Sequence, residues 1–235
     1  MKPNLSLPAS VEERLSGWAR IQEARLKAPA PYRPGPSITL SRQFGCEGFP
    51  LAMLLRDRLG AAGGEPWSVF DKSLLDQVAQ DEGISMRLLN RLGDPARSLE
   101  AFGFHPYGAV TNDQAFAKVA ETLVRVAAHG HAIVIGRGGA VLCRSLENCF
   151  HFRLEAGFEW RVASIMRRAG VDRAEAEHRV KVNTKLRERF IQDCLDTDIN
   201  DPRHYDAVFN NERHSVAEIA AAIAAYVAEA SRTPC

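Results

Sequence analysis

Gly45 and Gly48 stand three residues apart in the segment S-R-Q-F-G-C-E-G-F-P (41–50), directly after the run Ser37-Ile38-Thr39-Leu40-Ser41. A strand that passes through a glycine-containing loop into a helix turns backbone amides inward. The helix adds the positive end of its dipole, and the two together make a cradle for an anion. The cradle here is Arg42, Phe44, Gly45, Cys46, Glu47, Gly48 and Phe49. The loop that grips nucleotide phosphates reads G-x-x-x-x-G-K-[ST], with lysine on the outer phosphates and the hydroxyl on Mg²⁺. Where that pattern continues with lysine and Ser or Thr, this chain has Gly48 followed by Phe49 and Pro50. Proline is at home in the first turn of a helix, where no amide hydrogen is needed. Both the lysine and the hydroxyl are missing, and Arg42 is the nearest cation that can reach back to a phosphate. A plain structural turn is the competing reading of the two glycines.

A second cation stands beyond another apolar run, in I-V-I-G-R-G-G (133–139). Arg137 lies between glycines that let backbone and ligand approach, and a guanidinium can grip a phosphate through two parallel hydrogen bonds. An arginine opening a helix opposes the helix dipole, a local conflict of the kind functional sites carry. Gly136 belongs to the same candidate site. In V-F-D-K-S (69–73), Asp71 can cap the next helix, or orient a substrate hydroxyl or Mg²⁺, and Lys72 can meet an anion. The basic stretch 167–190 carries Arg179, Lys181, Lys185, Arg187 and Arg189. Such a run is either a solvated, ion-paired face or a lid that closes arginines over a transferred phosphate.

The elements that must position these residues alternate. Strands are predicted at 37–41, 67–70, 131–135, 149–154 and 207–209. Helices are predicted at 49–59, 85–92, 112–128, 157–168 and 172–195, with a final alanine-rich helix capped by Ser215 and Glu218. Short apolar strands separated by helices indicate βαβ units and a parallel sheet, whose ligands bind beyond the carboxyl ends of the strands. Residues 1–36 form an appendage: a helix capped by Ser10 and Glu13, then the stiff linker A-P-A-P-Y-R-P-G-P (28–36). That helix either packs on the main domain, residues 37–235, or docks a protein partner.

The chain's 235 residues carry a formal net charge of +1, so no global field draws it to nucleic acid or a membrane surface. The five cysteines form no C-x-x-C pair, which argues against a disulfide framework and a zinc site and suits a reducing cytosol. The first residues lack the apolar core of a secretory signal, and no apolar run approaches membrane-spanning length.

Taken together, I-T-L-S-R-Q-F-G-C-E-G (38–48), V-F-D-K (69–72), I-V-I-G-R-G (133–138), the Lys185-x-Arg187 pair and D-P-R-H-Y-D-A-V-F-N-N-E-R (201–213) make the chain resemble the cytidylate kinase-like family over about residues 37–228. The resemblance implies an α/β fold: a three-layer α/β/α P-loop kinase-like core with a parallel sheet and a helical lid and arm. It implies ATP with Mg²⁺ on the loop and a nucleoside monophosphate near Asp71 and Arg137. Arg179, Lys185 and Arg187 would close over the γ-phosphate. True cytidylate kinases follow the strand with Gly-Arg-Asp, and here Gly138 takes the third place, while Gly48 takes the place of the phosphate-loop lysine. The expected activity is a cytoplasmic nucleoside monophosphate kinase. A non-catalytic nucleotide sensor and a purely structural subunit are the alternatives.

Overall fold

The computed structural model describes residues 34–61, 65–74 and 113–231. The appendage helix and the expected helix at 85–92 lie outside the described residues.

The described strands are β1 (Ser37–Arg42), β2 (Ser68–Phe70), β3 (Ala132–Ile135), β4 (Cys149–Glu155) and β5 (Ala207–Asn210). They form one sheet in the order β2-β3-β1-β4-β5. Every pairing is parallel, with Leu40 beside Ile135 on one side and beside Phe152 on the other. The chain goes from β1 out to β2, comes back to insert β3 between them, then adds β4 and β5 on the opposite side of β1. The carboxyl end of β1 is therefore the switch point, where such sheets leave a crevice.

The helices are α1 (Gly48–Ala61), α2 (Asp113–His129), α3 (Gly139–Leu142), α4 (Phe158–Ala169), α5 (Arg173–Leu195) and α6 (Val216–Ala230). Side chains alternate across a sheet, so each strand serves two layers. Ile38, Leu40, Ile133, Ile135, Phe152 and Leu154 face α1 and α6, meeting Leu51, Leu55, Ile219 and Ile223 in the larger core. Ala132 and Val134 face the other way and pack with Phe70, Leu123, Val126 and Cys143 under α2 and α3. Helices on both faces of a parallel sheet give the three-layer α/β/α architecture. On this second face the central strands also carry Ser37, Thr39, Ser41, His151 and Arg153, all buried.

Helices α4 and α5 form a hairpin with its own small core of Val162, Ile165, Ala176 and Val180, against which Phe44 and Phe158 pack. Asp172 caps α5 by accepting from the Glu175 amide, and Gly170 ends α4 in the left-handed conformation at φ 65°. The capping box at Ser215 and Glu218 is complete. Within the described residues, the expected elements fall within a few residues of those observed. Two short ones were not anticipated, α3 and a 3₁₀ turn at Pro202–His204.

Candidate functional site

Beyond the carboxyl ends of β1 and β3, under the second half of α5, lies a cavity of about 240 Å³. Among the described residues, the cations that line it are Arg42, Lys72, Arg137 and Arg187. Leu186, Phe190, Ile191, Ile199 and Tyr205 give it apolar and aromatic surface, and Thr39, Ser41 and Asn183 give it polar surface.

Arg42 ends β1. Its side chain crosses Gly48, where a Cβ would lie 3.2 Å from Arg42 Cδ, and ends at Gly136, where a Cβ would lie 2.3 Å from Nη1. Burial, and next the charge of Arg187, push the Arg42 guanidinium down to about 9, with Asp71 opposing. It remains protonated at neutral pH. Arg187 Nη1 donates to the Arg42 carbonyl oxygen at 3.1 Å, and its guanidinium sits 5.0 Å from the centre of the Phe44 ring. Burial holds Arg187 below the usual arginine range as well.

Arg137 lies in a left-handed turn: φ is +76° at Gly136, +56° at Arg137 and +71° at Gly138. A side chain is strained in that region, and such strain gathers at functional sites. A Cβ at 138 would also crowd Leu195 Cδ1, the end of a side chain that can swing aside, so the glycine there answers chiefly to the positive φ. The Arg137 guanidinium lies 5.5 Å from the centre of the Phe190 ring, which in turn stands edge-on to Phe116. Asp71 Oδ1 accepts from the Leu74 amide at 3.0 Å, so the expected helix cap is formed.

The loop itself is held from behind. Its carbonyl oxygens at Arg42, Phe44 and Gly45 accept from Arg187, Arg161 and Arg168 of the α4–α5 hairpin. The Glu47 amide donates to Oδ1 of the buried Asn211 at 2.8 Å. Gly45, at φ +104°, also admits Arg161, whose Cβ would be 2.7 Å from a Cβ at 45. Phe44, Gly45, Cys46, Glu47, Gly48 and Phe49 therefore sit beside the cavity, outside its lining. Cys46 is buried, and burial pushes its thiol up to about 11.

Of the expected lid cations, the structure brings Arg187 into the cavity and leaves Arg179 and Lys185 out of its lining. Arg179 is paired with Glu175 at 2.6 Å, and Lys185 is exposed. The residues of α5 that do line it are Asn183, Leu186, Arg187, Phe190 and Ile191, one helical stripe. That spacing was the available signal for choosing among the cations.

Sequence reasoning missed the group that holds the far wall. Arg153, 3 % exposed in β4, donates to Ser41 Oγ, the Ile199 carbonyl, Tyr205 Oη, Asn200 Oδ1 and Glu155 Oε1. Tyr205 Oη donates to the Ile199 carbonyl at 2.7 Å and lies 3.2 Å from Ser41 Oγ. Beside them, His151 Nδ1 meets Thr39 Oγ1 at 2.8 Å. The signal was an arginine and a histidine alternating inside the apolar strand F-H-F-R-L (150–154).

The chain belongs to the cytidylate kinase-like family, whose model matches residues 37–213. Among solved structures, it is similar to an uncharacterised protein of Eubacterium ventriosum ATCC 27560. The identity there is 19 %, the TM-score 0.64, and the match covers 83 % of this chain and 98 % of that one. A gluconokinase from Sinorhizobium meliloti 1021 matches at 14 % identity and TM-score 0.44, over 86 % of this chain and 96 % of that one. TT1252 from Thermus thermophilus matches at 17 % and 0.39, over 84 % and 98 %. No curated protein matches the sequence. Among the described residues, no helix is long and apolar enough to cross a membrane.

Proposed function

We propose that the protein is an ATP-dependent phosphotransferase that acts on a nucleoside monophosphate, possessing CMP among its candidate acceptors. The single observation that carries the reading is the cavity: Arg42, Lys72, Arg137 and Arg187 converge on it, at the switch point of a kinase-family sheet. Four cations converging on one cavity suit groups carrying several negative charges.

In this reading an oxygen of the acceptor phosphate attacks the γ-phosphorus of ATP. The bond from that phosphorus to the bridging oxygen breaks, and ADP leaves. Arg137 holds the acceptor phosphate. Arg42, Arg187 and Lys72 stabilise the charge that spreads over the transferred group. The protein forms no covalent bond, and catalysis is positioning and electrostatics. Arg179 and Lys185 act as outer cations of the lid, and the reaction runs in the cytosol. Mg²⁺ would arrive on the phosphates of ATP. Among the described residues there is no group of three or more His, Cys, Asp or Glu that could hold a metal, and Phe49 and Pro50 of the loop bring it no hydroxyl.

Incubation with ATP-Mg²⁺ and each nucleoside monophosphate in turn tests the reading. It expects one of them to yield its diphosphate; failure of the whole panel removes it. A second reading, a nucleotide sensor without turnover, is favoured by the pinned loop, whose Glu47 amide is already taken by Asn211. It expects calorimetric binding of ATP or CMP with no diphosphate formed.

A further inference from the structure

We propose that Arg42 supplies, from the end of β1, the cation that a phosphate loop ordinarily carries at position 48, and that Gly48 and Gly136 are glycines because the Arg42 side chain lies across both. The proposal rests on the reading that this cavity binds phosphate groups.

Three observations carry it. First, the path of the side chain is enclosed. A Cβ at Gly48 would meet Arg42 Cδ at 3.2 Å and Cγ at 3.3 Å, both closer than ordinary van der Waals contact. A lysine at 48 would crowd the Arg42 methylenes, which would have to give by a few tenths of an ångström, so the two cations compete for one path. Second, the far end is enclosed too. At Gly136 a Cβ would stand 2.3 Å from Nη1, and φ is +76°. No other side chain fits there while Arg42 keeps its place. Third, the root is fixed. Arg42 pairs with Leu154 in the sheet, and its carbonyl oxygen accepts from Arg187.

The exchange changes more than the origin of the charge. An ammonium is a point charge, whereas a guanidinium offers parallel donors in a plane. Rooted in the strand, the charge also points into the cavity shared with Arg137 and Arg187.

The test is calorimetric titration of the full chain with inorganic tripolyphosphate, with thermal melting of every variant as a check on folding. Arg42→Met keeps the apolar stem across Gly48 and removes only the charge. It should bind at least about tenfold more weakly than wild type, the loss expected for one charge-assisted contact. Gly48→Lys in the wild-type background should gain no affinity. Arg42→Ala combined with Gly48→Lys should recover binding to within about threefold of wild type, since the lysine then has room and the charge is restored. If that double variant does not fold, Arg42→Met against wild type still decides. The proposal is overturned by wild-type affinity in Arg42→Met, by the same gain from Gly48→Lys with and without Arg42, or by a wild type that does not bind tripolyphosphate. Turnover is scored separately. Tripolyphosphate binding that needs Arg42, without diphosphate formation, upholds this proposal and defeats the kinase reading. Turnover that survives Arg42→Met does the reverse.

Discussion

Arg187 Nη1 donates to the carbonyl oxygen of Arg42 at 3.1 Å, so the lid helix and the end of the central strand meet through their arginines. The bond sets two guanidiniums around one cavity, and burial acts against the charge on both. Folding brings these like charges together, with Asp71 offsetting part of their repulsion. A ligand that binds only the folded state stabilises it by mass action. Inorganic phosphate or tripolyphosphate at about a hundred times its dissociation constant should therefore add about 2.7 kcal/mol, a shift of several degrees in Tm. Arg42→Met should melt no lower than wild type without anion and gain less from it. Differential scanning fluorimetry reads both, and a wild-type Tm indifferent to phosphate would contradict the account.

The far wall depends on Arg153. Its guanidinium ties β4 to Ser41, Ile199, Asn200 and Tyr205. Arg153→Met leaves several of those acceptors without their donor, and the expected loss is about 2–3 kcal/mol in urea unfolding. Tyr205→Phe removes only one hydroxyl, whose bond to the Ile199 carbonyl is 2.7 Å, and should cost about 1 kcal/mol. Equal losses in the two variants would deny Arg153 its central place in this network.

Cys46 sits buried in the loop, where burial disfavours its thiolate. It is 6 % exposed, and burial raises its thiol to about 11, so almost no thiolate exists at pH 8. Cys194 is only half-buried. Brief alkylation with iodoacetamide at pH 8, followed by peptide mass mapping, should modify Cys194 well before Cys46. Preferential labelling of Cys46 would mean that the loop opens to solvent.

Much of this was legible in the sequence, and the reasons are local. The runs I-T-L, I-V-I and F-H-F-R-L are short, apolar and bounded by turn residues, so β1, β3 and β4 declared themselves. Ser215 with Glu218 announced the start of α6 by its own chemistry. Helix α3 did not, because four residues carry no period and Gly139 is there to pack on Thr39. Arg42, Arg137 and Arg187 were legible as candidates because each follows a strand or sits in a basic helix. Their sorting from Arg179 and Lys185 was not, since it depends on which stripe of α5 faces the sheet. The partnership of Arg153 with Tyr205 lay out of reach for a different reason: 52 residues separate them, and only the register of β4 beside β5 brings them together.

The cavity arginines carry the central claim, and transfer of the γ-phosphoryl group followed by ³¹P NMR tests it most directly. With ATP-Mg²⁺ and the best acceptor of the panel, wild type should form the diphosphate. Arg137→Ala and Arg187→Ala should each be slower by about a hundredfold or more while melting like wild type, the scale on which one arginine acts in phosphoryl transfer. Arg179→Ala, whose side chain is 42 % exposed and paired with Glu175, should lose far less. Wild-type rates in both Arg137→Ala and Arg187→Ala, or no transfer by a wild type that binds ATP, would contradict the account.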